Sequence, residues 1–204
     1  MSETEQPQIY LITPPEFELS TFPDRLAGVL DSRAIACVRL ALASQDEDRI
    51  ARAADACRTV CYDRDVALVI ETHLRMVERL GLDGVHLTGV RGLRDARKAL
   101  GEDAIVGAFC GASRHDGMAA GETGADYVAF GPVAETGLGD GTVAPQDLFA
   151  WWSEMIEVPV VAEGGLTPEV VAALAPVTDF FGIREIWPAE DPAAALAALM
   201  VAAG

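Results

Sequence analysis

The chain has 204 residues, of which 50% are hydrophobic and 23% charged, a composition that suits a folded domain with one sizeable core rather than a disordered segment. A formal net charge of −17 argues against nucleic acid as a partner and against long-range steering of anionic ligands, since both need a Lys/Arg surface. No apolar run reaches the ~18 residues of a membrane span, and the acidic opening Met1-Ser2-Glu3-Thr4-Glu5-Gln6 lacks the order of a secretory signal. A cytoplasmic protein without membrane contacts is expected.

Short β-rich runs alternate with longer amphipathic stretches. The runs fall at 9–12, 34–40, 66–70, 84–87, 104–108, 127–130, 159–162 and 180–183, and most are almost continuously apolar. That pattern suits parallel strands filled from inside and covered by helices outside. Between them, Ser44-Gln45-Asp46-Glu47 reads as a capping box ahead of a helix whose buried stripe is Ile50, Ala54, Cys57 and Cys61. Thr167-Pro168 and Asp191-Pro192 each pair an N-cap with proline at the first helical position. Gly81, Gly101 and Gly124 suit helix ends. Asp83, Asp126 and Asp179 recur just before the fourth, sixth and eighth runs, at the face of a barrel associated with stability. The expectation is an α/β protein, a single (β/α)8 TIM barrel over 1–204, with residues 1–7 a loose extension. An open dinucleotide-binding sheet would require a G-x-G-x-x-G turn after the first strand, where the chain reads Thr13-Pro14-Pro15.

The four cysteines, Cys37, Cys57, Cys61 and Cys110, form no C-x-x-C pair and no zinc set, so they are read as buried hydrophobes; no residue is assigned to a metal. Chemistry in a barrel gathers where the strands end. Those ends carry Glu71, His86, Ser113-Arg114-His115-Asp116, Thr136, Gly164-Gly165 and Arg184-Glu185. Gly164-Gly165 before a capped helix, with Arg184-Glu185 after the eighth strand, is a candidate phosphate site built from backbone N–H groups and one guanidinium. Cys110 near His115 and Asp116 invites a nucleophile-and-base reading, although adjacency in sequence does not establish contact. The Gly137–Gly141 loop reads equally as a lid or as a flexible crossover.

Several fragments resemble, in order, the thiamine phosphate synthase and thiazole tautomerase family. Tyr10-Leu11-Ile12-Thr13 is similar to its first strand, Asp83-Gly84-Val85-His86-Leu87 to its fourth and Gly124 to Val133 to its sixth. Pro159-Val160-Val161-Ala162-Glu163-Gly164-Gly165 is similar to its seventh. The resemblance implies coupling of a hydroxymethylpyrimidine diphosphate to a thiazole phosphate, with Mg²⁺ on the diphosphate and release of pyrophosphate. The chain departs from the family pattern at several places. Gln-Leu-Arg-Glu-Lys becomes Arg39-Leu40-Ala41-Leu42-Ala43, and Asn-Asp becomes Glu71-Thr72. The acid after the fourth strand is missing from Thr88-Gly89-Val90-Arg91, and Thr-x-Thr-Lys becomes Ala134-Glu135-Thr136-Gly137. The tautomerase branch has a His where this chain has Pro132.

The reading is a synthase-like protein of thiamine biosynthesis that binds a small phosphorylated metabolite, a thiazole or pyrimidine phosphate, with the usual diphosphate and Mg²⁺ ligands largely replaced. The expected roles are catalytic for Glu71 and His115, phosphate-binding for Gly164, Gly165, Arg184 and Glu185, and substrate-binding for Arg39, His86, Ser113, Arg114 and Thr136. The alternatives are a non-catalytic phospho-ligand barrel, an isomerase of the tautomerase type, and another sugar-phosphate enzyme on the same scaffold. A homodimer stays open.

Overall fold

The computed structural model describes residues 6–204. Eight strands alternate with eight helices: β1 (Gln8–Ile12), α1 (Phe22–Ser32), β2 (Cys37–Leu40), α2 (Glu47–Tyr62), β3 (Ala67–Glu71), α3 (Leu74–Leu80), β4 (Gly84–Leu87), α4 (Leu93–Leu100), β5 (Ile105–Phe109), α5 (Arg114–Glu122), β6 (Tyr127–Phe130), α6 (Gln146–Met155), β7 (Val160–Glu163), α7 (Pro168–Leu174), β8 (Phe180–Ile183) and α8 (Pro192–Met200). The strands are parallel, each paired with the next, and β1 closes on β8 through pairs such as Tyr10 with Gly182. The chain is thus a (β/α)8 TIM barrel.

Two apolar layers follow from strand alternation. One face of the strands, with Leu11, Val38, Leu68, Val85 and Phe181, packs against helix residues such as Leu26, Ile50, Leu93 and Trp152. The other face, with Tyr10, Ile12, Cys37, Val69, Tyr127, Ala129 and Val161, fills the barrel. A β-carbon on Gly107 would stand 2.0 Å from the Tyr127 ring, so the absence of a side chain there is what admits the ring.

The three repeated aspartates share one task. Asp83, Asp126 and Asp179 accept hydrogen bonds from the backbone N–H groups of Leu68, Val106 and Val160 at 2.7, 2.7 and 2.8 Å. In return each donates its own N–H to the carbonyl of that same residue, at 2.9, 2.8 and 3.2 Å. Every second strand start is clipped to the strand before it. Arg97 adds a contact to Asp126 and to the carbonyls of Gly101, Ala104 and Gly124.

Helix ends follow local chemistry. Thr167 and Asp191 cap α7 and α8 through the N–H groups of Val170 and Ala194. For α2 the cap is Asp46 rather than Ser44: its carboxylate accepts from Asp48 and Arg49, and the Ser44 hydroxyl accepts from Asp46 N. A charged acceptor serving two amides outcompetes a hydroxyl serving one. The second strand starts at Cys37, three residues later than the apolar run, because pairing with β1 begins at Tyr10 opposite Cys37. Of the expected loose extension 1–7, residues 1–5 lie outside the described residues. Pro7 is buried, and the Gln6 side chain donates to the Gly204 carbonyl.

Asp179→Ala leaves the Val160 N–H without its acceptor and is expected to cost ~1–3 kcal/mol. At about 2–4 °C per kcal/mol for a chain of this size, the loss appears as a lowered Tm by calorimetry. Asp179→Asn keeps an acceptor oxygen and is expected to lie near wild type; an equal loss in both variants would contradict the clip.

Candidate functional site

The floor of the barrel mouth is polar and almost sealed. Arg39 of β2, His86 of β4 and Glu163 of β7 are buried, at 2, 1 and 2% exposure, among apolar neighbours. Arg39 donates through Nη2 and Nη1 to the two carboxylate oxygens of Glu163, the second bond at 3.3 Å. Its Nε lies 3.5 Å from Glu71 Oε2, close enough for an ionic contact although Nε has no hydrogen bond. Its guanidinium also stands 5.6 Å from the Tyr10 ring centre. Burial opposes the charge on Arg39, but Glu163, Tyr10 and Glu71 outweigh it and raise its pKa.

That arrangement assigns the histidine. Arginine has no acceptor, so the Arg39 contact makes His86 Nε2 the acceptor and leaves the proton on Nδ1. Nδ1 then donates to the Tyr127 hydroxyl at 2.8 Å, and the Tyr127 and Tyr10 hydroxyls meet at 2.5 Å. Burial, followed by Arg39, holds the His86 pKa well below its ordinary value, so the ring is neutral. Burial, followed by the neighbouring Tyr127, pushes the Tyr10 phenol up. The set is a fixed relay of neutral groups joined to one ion cluster.

The rim is built by the loops after β7 and β8. Gly164 and Gly165 have φ of 84° and 89°, a region open to glycine. A β-carbon on Gly165 would meet the Ala134 methyl at 2.8 Å. These turns aim backbone N–H groups at one point, and the Glu185 carboxylate stands there. It accepts from Gly165 N at 3.0 Å, Leu166 N at 3.1 Å and Arg184 N at 2.9 Å. A cavity of about 410 Å³ opens beside it, bounded by Glu163, Thr136, Leu138, Gly182 and Arg184.

The structure therefore brings together Arg39, His86 and Glu71 at the floor, and Gly164, Gly165, Arg184, Glu185 and Thr136 at the rim. The other expected site residues lie elsewhere. Ser113 is the N-cap of α5, accepting from Asp116 N at 3.1 Å. Arg114 stacks over Trp151 of α6 at 3.9 Å from the ring centre, in the helical layer. His115 is exposed on the first turn of α5. The buried Cys110 thiol is pushed up to about 12, by burial first and Asp116 second, so it offers no thiolate at neutral pH. Tyr10, Tyr127 and Glu163 were not singled out from the sequence. A carboxylate inside the apolar run Val160-Val161-Ala162-Glu163 was the available signal, because such a charge is buried only with a partner.

The donor set does not suit Mg²⁺. Magnesium takes hard, near-octahedral oxygen ligands, yet Glu163 and Glu71 both face Arg39. Among the described residues no three His, Cys, Asp or Glu side chains gather as a metal group.

Residues 9–183 match the profile of the thiamine monophosphate synthase family. A thiamine-phosphate synthase of Rhodospirillum centenum is 43% identical over 196 residues, covering 93% of this chain and 94% of the relative. One from Erythrobacter litoralis is 37% identical over 203 residues, covering 95% of each. Among solved structures, a thiamine phosphate pyrophosphorylase from Pyrococcus furiosus superposes with a TM-score of 0.82 at 21% identity, covering 96% of this chain and 95% of that one. A 3-hexulose-6-phosphate synthase from Salmonella typhimurium gives 0.74 at 16% identity, covering 96% of this chain and 98% of that one. These last two likenesses concern the fold alone.

The neutral His86 makes a pH prediction. Its folded pKa lies below the unfolded value of about 6.5, so its contribution is complete above that pH and lost as pH falls. Between about pH 6.5 and 4.5, wild-type stability in urea is expected to fall more steeply than that of His86→Gln, by up to ~1.4 kcal/mol per pH unit. Parallel pH profiles for the two proteins would contradict a buried neutral ring.

Proposed function

The chain belongs to the thiamine monophosphate synthase family, and on that footing we propose that it acts in thiamine biosynthesis, in the cytoplasm, on a thiazole or pyrimidine phosphate held at the barrel mouth. The observation that carries this reading is the convergence of three backbone N–H groups, from Gly165, Leu166 and Arg184, on one anionic group beside an open cavity. Such amides need no positive surface to hold phosphate, which reconciles the ligand with a chain of net charge −17. Arg184, which borders the same cavity, supplies the positive charge at the rim. Glu163, fixed by Arg39, offers an aminopyrimidine an acceptor for its exocyclic amino N–H at the cavity floor. Mg²⁺ enters this reading only as an ion carried on a substrate diphosphate, and no step is assigned to it.

A second reading, a non-catalytic barrel that binds the same ligand as a sensor or partner subunit, has a specific observation behind it. The Arg39 guanidinium is engaged by Glu163, Glu71 and His86, and the next two positions where the family carries cations are Ala41 and Ala43. No cation from β2 is left for a diphosphate. An isomerase of the tautomerase type has less support: Pro132 is buried where that branch has a His, and His86 is enclosed in the floor relay.

Purified protein given hydroxymethylpyrimidine diphosphate, thiazole phosphate and Mg²⁺ separates these readings. Pyrophosphate release with formation of thiamine phosphate is expected from the enzyme. Thiazole phosphate binding by calorimetry without pyrophosphate release supports the second reading. Neither binding nor turnover overturns both.

A further inference from the structure

The anion site is already filled by the chain itself. Each backbone N–H carries one hydrogen, and those of Gly165, Leu166 and Arg184 all point to the Glu185 carboxylate. A ligand phosphate cannot share them, because two negative groups a few ångströms apart repel and compete for the same three hydrogens. We propose that Glu185 is a tethered competitor for this site: its carboxylate closes the nest, and a phosphorylated ligand enters only by displacing it. This rests on the reading of the two loops as the phosphate site.

Three observations support a switch rather than a permanent plug. Glu185 is exposed, so its carboxylate leaves the amides for water, with hydration replacing the hydrogen bonds it gives up. The nest is shaped by its own backbone: Gly164 and Gly165 adopt left-handed turns, and a β-carbon at either would run into Leu138, Pro132 or Ala134. No ion pair to Arg184 or to any other cation holds Glu185 in place among the described residues. The consequence is selectivity. A monoanionic carboxylate offers the amides nothing that Glu185 does not already provide from a tether, whereas a phosphate brings more charge and more acceptor oxygens. Glu185 therefore acts as a specificity-determining residue that sets the threshold an incoming anion has to pass.

The test is a titration of ¹⁵N-labelled protein with inorganic phosphate, followed at the amides of Gly165, Leu166 and Arg184. Wild type is compared with Glu185→Gln, which keeps an acceptor oxygen but no charge, and Glu185→Ala, which empties the nest. The apparent Kd is the intrinsic value divided by the open fraction, so a nest closed in about nine of ten molecules predicts ~10-fold tighter phosphate binding in Glu185→Ala. Glu185→Gln is expected to fall between it and wild type, and it guards against the alanine variant loosening the loops. Tightening in either variant supports the competitor. Equal affinity in all three proteins, with the amides responding, overturns it while leaving the phosphate site intact. If phosphate moves these amides in none of the three, the phosphate reading fails and the competitor with it.

Discussion

The ion pair between Arg39 and Glu163 is the constraint on which the mouth of this barrel depends. Closing eight strands creates an interior that has to be filled, and apolar side chains usually fill it. Here two full charges are placed near its centre, on strands β2 and β7. Removing one partner of such a pair leaves a buried charge without compensation, at a cost of ~3–5 kcal/mol. The remaining groups are arranged to prevent that. Glu71 faces the guanidinium from a third strand, His86 Nε2 accepts a hydrogen bond from it, and Tyr127 and Tyr10 complete the relay. Small residues make the space: Gly107 admits the Tyr127 ring, and Gly182 lies beside the Glu163 β-carbon.

Floor and rim differ in kind. Arg39, His86 and Glu163 are nearly sealed, and the charges of Arg39 and Glu163 are paired, so Glu163 presents a fixed acceptor to the cavity above it. The rim is backbone, shaped by two glycines, with its N–H groups occupied by an exposed carboxylate. On the proposed reading, a ligand at this mouth meets one rigid surface and one exchangeable contact, which would put selectivity for its anionic end in the loops after β7 and β8. The aspartate clips lie at the starts of the strands, away from that mouth.

Much of the barrel was legible because each local signal had one outcome. Apolar runs of four to seven residues, alternating with amphipathic helical stretches, leave few alternatives to a parallel closed sheet. The aspartates before β4, β6 and β8 announced a repeated structural contact through their position alone. The site was harder to read. A residue such as Arg39 looks available in sequence, and only the closure of β1 on β8, which brings β2 and β7 to neighbouring parts of the barrel wall, shows its partner. Arg114 and His115 follow a strand end, yet helix α5 starts so soon after it that Arg114 reaches Trp151 instead of the mouth. Glu185 carries the clearest lesson, since its backbone suggested a donor to phosphate while its side chain takes up the N–H groups of Gly165, Leu166 and Arg184.

A double-mutant cycle on Arg39 and Glu163, read by urea denaturation, tests the central claim most directly. Arg39→Met and Glu163→Leu are each expected to be strongly destabilising, and the double variant to recover much of the loss, with a coupling of about 2–3 kcal/mol. Single losses that add to within ~0.5 kcal/mol would mean that the two side chains act independently, and that the floor described above does not exist.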